Sequence, residues 1–147
     1  MSNSGGDRVR SVAPDTVQAV IRRMEQDFDR GSERIVNCPA ALDRLDGDVE
    51  LFADLLAYYF ADGPSFLTAI DDAVSAGNAD AVHRSAHRLK GMLANFDARQ
   101  AILAAAELET MGRDNALAGA RDANHRLHHE VQRVTALLES FCRPEGR

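Results

Sequence analysis

His83, Arg84, His87, Lys90, Gly91 and Ala94 fall within twelve residues of one another, in a stretch that reads as uninterrupted helix. At about 100° per residue, Val82, Ala86, Leu89, Leu93 and Phe96 cluster within about 80° of arc and form a core face. His83, His87, Lys90, Gly91 and Ala94 gather on the adjoining stripe, roughly 80° to 180° from Val82, with Arg84 just beyond its far edge and Arg88 well round the helix. Imidazole in water titrates around pH 6.5, so an exposed histidine offers a neutral ring nitrogen as a nucleophile near neutrality. A lysine less than one turn further on supplies a point charge suited to a phosphoryl oxygen. Glycine in a helix interior costs about 1 kcal/mol relative to alanine, so Gly91 calls for a reason other than helix stability. Together with Ala94 it strips bulk from the face beside His87, which lets another protein surface approach the imidazole.

The elements that must hold this stripe are helical. The chain has 147 residues, 45% hydrophobic and 27% charged, a balance that suits one folded domain better than two or a disordered chain. With 5% aromatic residues, no tryptophan and abundant alanine and leucine, packed helices are favoured over a sheet. A formal net charge of −6 argues against general nucleic-acid binding, which needs a basic surface. No run of about 18 apolar residues spans a membrane, and the N-terminus lacks a signal-peptide core. Cys38 and Cys142 lack metal-ligand spacing and read as free thiols of a reducing, cytoplasmic compartment.

Along the chain, residues 1–13 are polar and read as a flexible segment. Asp15 caps a first helix with Val17, Val20, Ile21, Met24 and Phe28 on one side, within a segment 14–34 of uncertain role. Ala40–Leu45 forms a short helix after Pro39. Asp46 or Asp48 caps the next, with Val49, Phe52, Leu55, Leu56 and Tyr59 inward. "ADGPS" reads as a stop and restart, with Pro64 at a first helical position. Phe66, Ile70, Ala73 and Val74 then face the core up to Gly77, and Asn78 caps the helix that carries His87. Asp97 reads as the cap of a further helix with Ile102, Leu103, Ala106 and Leu108 inward. Leu117, Ala120, Asn124, Leu127, Val131, Val134, Leu138 and Phe141 mark the seam of a long last helix, on which Asn124 would fix register. The economical architecture is all-α: an antiparallel four-helix bundle with one or two additional N-terminal helices.

Rival chemistries fare worse. A di-metal bundle needs two Glu-x-x-His motifs, and the sequence contains none. The i, i+4 pair His83/His87 lacks a third ligand on the same stripe, and His125 and His129, with His128 between, read as ordinary surface side chains, so no metal is assigned. Neither a Gly-rich phosphate loop nor a nucleophile elbow is present.

"AHRLKG" at Ala86–Gly91, followed by "MLANFDA", resembles the signature of histidine phosphotransfer (HPt) domains of multistep phosphorelays. "ALDRLDGDVELFADLLAYYFADGPSFLTAI" and "GNADAVHRSAHRLKG" are similar to the segments that lead into that signature, and "AAAELETMGRDNAL" to the paired-helix segment after it. The likeness covers about residues 35–141, leaving 142–147 as a tail. It implies that His87 accepts a phosphoryl group from a receiver-domain aspartate or a sensor or hybrid histidine kinase and passes it to a response-regulator receiver. Lys90 would steady the phosphoryl oxygens and Gly91 would give the partner clearance, with His83, Arg84 and Ala94 at the partner interface. The protein would be a monomeric phosphocarrier without an ATP site or cofactor of its own, the metal for transfer being supplied by the receiver. Met92 and Asp97 stand where the family commonly has a small residue and a glycine; Met92, at about 280°, points away from the His87 stripe. A different class of reading, a helical adaptor that binds a kinase or receiver without phosphotransfer, would use the same face.

Overall fold

Asn37, Asp48 and Asn78 each accept a hydrogen bond from the backbone N–H three residues on, at 3.1, 3.0 and 3.1 Å, and each begins a helix. Side-chain oxygens at this position satisfy amides that the first helical turn leaves without a partner. In the computed structural model, residues 22–23 and 35–142 are described, and within them five helices are delimited and no strand occurs. These are α1 (Cys38–Arg44), α2 (Val49–Ala76), α3 (Ala79–Ala94), α4 (Arg99–Arg113) and α5 (Ala120–Cys142). The expected first helix from Asp15 and the flexible lead-in lie outside the described residues, apart from Arg22 and Arg23. The Arg23 guanidinium donates to the carbonyls of Ser140 and Phe141 at 3.2 and 3.1 Å, at the end of α5 where helix carbonyls lack intrahelical donors.

α2 corrects the expected break at "ADGPS". It runs unbroken for 28 residues with Pro64 inside it. A proline there removes one ladder hydrogen bond and costs about 3 kcal/mol in an isolated helix. Here the apolar stripe continues through it: Phe52, Leu56, Tyr59 and Gly63 are buried before the proline, Ile70 and Ala73 after it. Burying such side chains is worth roughly 1.5–3 kcal/mol each for the large ones, enough to hold both halves on one axis. Ser65 Oγ and Thr68 Oγ1 donate to the carbonyls of Asp62 and Pro64, so polar groups around the proline are used locally. α2 then stops at Gly77, whose φ of +66° is the left-handed conformation that glycine adopts without penalty.

The second correction concerns Asp97. It caps nothing: Ala98 is the N-cap of α4 and makes no side-chain cap bond. Asp97 itself has φ +52°, a left-handed turn position that favours glycine, although aspartate tolerates it better than most residues. The third concerns Leu103, expected inward but 58% exposed. α4 buries Ala101, Ala104, Ala105, Leu108, Glu109 and Gly112, so its inner face lies to one side of Leu103.

Packing follows the apolar stripes. α3 lies against α2 and α4, α5 against α4 and α2. Phe52 and Tyr59 of α2 meet Phe96 edge-on at 5.9 and 5.5 Å, closing the core where α3 ends. Tyr59 Oη lies 2.8 Å from Thr135 Oγ1, while Asp71 Oδ1 lies 2.7 Å from His128 Nε2, so contacts advance along α2 as they retreat along α5. Asn124 Nδ2 donates to the same Asp71 oxygen at 2.7 Å, which ties the polar position on the α5 seam to one place on α2. The seam is otherwise apolar and buried from Ala120 to Phe141, while Leu117 precedes the helix. Among the described residues no helix is long and apolar enough to cross a membrane.

Candidate functional site

α3 sets the site because its two faces separate cleanly. Val82, Ala86, Leu89 and Leu93 are fully buried, as is Phe96 just beyond the helix, and Met92 is buried beside Gly63. On the adjoining stripe the His87 side chain is 66% exposed, Gly91 and Ala94 are open to solvent, and Lys90 is partly covered. The rings of His83 and His87, one turn apart, are nearly parallel with centroids 6.5 Å apart. Among the described residues a Cβ added to Gly91 would meet no atom within 4 Å, so none of them requires that glycine. Arg84 turns back along the helix to Asp80 at 2.9 Å.

The residue that organises the stripe comes from α4. Glu109 is only 8% exposed, the one charged side chain among the buried described residues. One carboxylate oxygen, Oε2, lies 2.6 Å from His87 Nδ1, and the other, Oε1, lies 2.6 Å from Lys90 Nζ. The Glu109 backbone carbonyl is 3.1 Å from His83 Nδ1. One residue thus holds three side chains of α3. The Lys90 ammonium, and after it the His87 ring, hold the Glu109 carboxyl below its ordinary range against the opposing effect of burial.

That grip decides which nitrogen of His87 is free. An ionised carboxylate can only accept, so the proton sits on Nδ1 and points at Glu109. In the neutral ring Nε2 then carries the lone pair, on the side of the ring away from Glu109. The arrangement presents, on a side chain largely in solvent, a ring nitrogen with a free lone pair, the ring being oriented by a buried acceptor with an ammonium within one turn.

Close approach of α3 and α4 makes this possible. A Cβ on Gly112 would fall 2.5 Å from the backbone nitrogen of His83 and 2.6 Å from the carbonyl oxygen of Ala79. Glycine at this crossing lets Glu109, one turn earlier, reach across. Neither Glu109 nor Gly112 was singled out by the sequence reading, which followed hydrophobic residues along α4. A signal was present: Glu109 stands four residues after Ala105 and three before Gly112, a carboxylate on an otherwise small and apolar stripe.

The far end of the stripe is bounded by α1. Arg44 donates through Nη2 to the Ala94 carbonyl at 2.9 Å, and its Nη1 is 4.0 Å from Asp97 Oδ1. The Asn37 backbone N–H donates to the Phe96 carbonyl at 2.9 Å, so α1 is fastened to the turn after α3 from two sides. The histidines of α5 stay apart from the site: His125 and His129 are exposed, and His128 faces Asp71. No group of three or more His, Cys, Asp or Glu side chains suited to holding a metal occurs among the described residues.

Neither a curated protein nor a solved structure matches the chain. A family model does, the one described as Hpt domain, over residues 54–137.

Proposed function

The chain belongs to the Hpt domain family, the phosphocarrier modules of phosphorelays, and on that premise we propose that His87 is its phosphoryl-carrying residue. The single observation that carries this reading is the 2.6 Å contact of His87 Nδ1 with Glu109, which leaves Nε2 exposed as the nucleophile. Nε2 attacks the phosphorus of an aspartyl phosphate on a receiver domain; the N–P bond forms as the P–O bond to the aspartate breaks, and the carboxylate leaves. The ring keeps its proton on Nδ1 and becomes cationic, and the Glu109 carboxylate balances that charge. Delivery to the next receiver aspartate is the reverse step. A sensor or hybrid kinase is the other donor class.

Lys90 spends one of its three N–H donors on Glu109 and has two for phosphoryl oxygens. Gly91 gives the partner clearance, and His83, Arg84 and Ala94 border its landing surface. The divalent metal that assists transfer belongs to the receiver, and the chain supplies no cofactor and no ATP site. We read the four long helices as an antiparallel four-helix bundle, working as a monomer in the cytoplasm. The opposed running of contacts along α2 and α5 supports the bundle.

The test is phosphotransfer with purified chain and His87→Ala, using each labelled kinase and receiver of the source organism. Acid-labile, base-stable label on the wild type alone is the expected result, with 31P NMR placing it on Nε2. Binding without label on either protein would replace this reading with that of a helical adaptor. The variant should keep its fold, because the side chain it truncates is largely in solvent.

A further inference from the structure

The three cations along the His87 stripe differ in how firmly their charge is held. Lys90 and Arg84 sit at 2.6 and 2.9 Å from Glu109 and Asp80, as close ion pairs. Arg44 is the exception. Its contact with Asp97 is 4.0 Å long, its side chain is 52% exposed, and its short bond goes to a neutral acceptor, the Ala94 carbonyl. A guanidinium has five N–H donors in a fixed fork, so most of its donor capacity faces solvent. That carbonyl bond also fixes where the charge stands. Ala94 is seven residues beyond His87 on the same face, about 10 Å along the helix. A protein surface of ordinary interface size, about 800 Å² per partner, is some 30 Å across and covers both. Between His87 and Arg44 the α3 stripe offers the small residues Gly91 and Ala94 beside Lys90.

We propose that Arg44 is the far rim of the docking surface and pairs there with an acidic side chain of the receiver surface that borders its acceptor site. The proposal rests on the phosphotransfer reading. The partner chemistry follows from the reaction: the acceptor aspartate and the further carboxylates that ligate its divalent metal outnumber that ion's charge, so the receiver surface around the site is acidic and draws a guanidinium at its edge. A rim charge facing such a surface acts on encounter rate and partner choice rather than on the chemical step. Arg44 is therefore a specificity-determining residue supplied by α1, outside the helix that bears the histidine.

The experiment measures rapid-mixing phosphotransfer between the full chain and the receiver that exchanges fastest with it, at 50 and 500 mM salt. Arg44→Glu should lower the second-order rate about tenfold or more at low salt, and the deficit should shrink at high salt. Arg44→Gln, which keeps a donor for the Ala94 carbonyl without the charge, should lower it several-fold. The rate at saturating receiver should stay as in the wild type, as should labelling of His87 by phosphoramidate, a donor too small to need docking. Arg121→Gln removes the same charge from α5, which packs on α4 and α2 across the bundle, and should change nothing. Equal low-salt rates for wild type and Arg44→Glu would overturn the proposal, as would a deficit that salt leaves untouched or that tracks a fall in melting temperature. If the wild type exchanges phosphate with no receiver, the phosphotransfer reading falls and this one with it; in every other overturning case that reading stands.

Discussion

Glu109 has two duties, each tied to one oxygen. The contact with His87 sets the tautomer, and the contact with Lys90 sets where the ammonium rests. Glu109→Gln removes the charge and leaves one acceptor oxygen for two donors. A hydrogen bond between charged groups is worth about 1.5–3 kcal/mol, so labelling of His87 should slow by about 10- to 100-fold with little change in partner affinity. Nitrogen-15 NMR of the ring separates this from a general structural defect: the wild type should show Nδ1–H, and the variant a mixture of tautomers. Acid should weaken the same contacts by protonating the carboxylate. Because Lys90 and His87 hold the Glu109 carboxyl below its ordinary range, the grip contributes stability above that range, lost as pH falls through the depressed value. The carbon-13 carboxyl resonance of Glu109 should therefore titrate below the usual carboxylate range.

At the scale of elements, two glycines carry opposite meanings. Gly112 sits where α4 crosses α3, and an added methyl would collide with backbone atoms that cannot swing aside. Gly112→Ala should cost about 1–3 kcal/mol, seen in urea unfolding, and should slow His87 labelling as Glu109 is carried away. Gly91 has open space around it, so Gly91→Ala should stabilise the free protein by about 0.5–1 kcal/mol through helix propensity. The same substitution should slow transfer from receivers while leaving phosphoramidate labelling as it was. The placement of Gly91 beside His87 was legible because periodicity alone puts it there. The purpose of Gly112 was not, since it depends on how far one helix stands from the next. Pro64 shows the same limit from another side. A local rule ends a helix there, yet the buried residues before and after it belong to one stripe, and tertiary burial outweighs the local cost. The misassigned cap at Asp97 was a matter of one residue: the left-handed turn falls on the aspartate and the cap falls on Ala98.

For the molecule as a whole, burial leaves several groups whose ionisation opposes folding. Cys38, Tyr59 and Cys142 are pushed up to about 12, 12 and 11, in each case chiefly by burial. A group raised in the folded state stabilises it fully below the unfolded value and progressively less as pH climbs toward the folded one. Stability should thus decline between pH 9 and 12, readable as a falling urea midpoint. In the native protein at pH 8 Cys38 should resist alkylation, Cys142 should react slowly, and both should react at once in denaturant. The helical architecture and the His87 stripe were visible in the residue pattern because each is a property of one helix. Glu109 and Arg44 were not, because their importance lies in what a second and a third helix bring to the first. The shared carboxylate has an evolutionary consequence. Any change at Glu109 alters the His87 ring and the Lys90 ammonium together, so it offers no way to adjust one without disturbing the other. On the docking proposed above, Ala94 and Arg44 carry no such linkage, and drift there would retune which partner is heard while the chemistry is inherited intact.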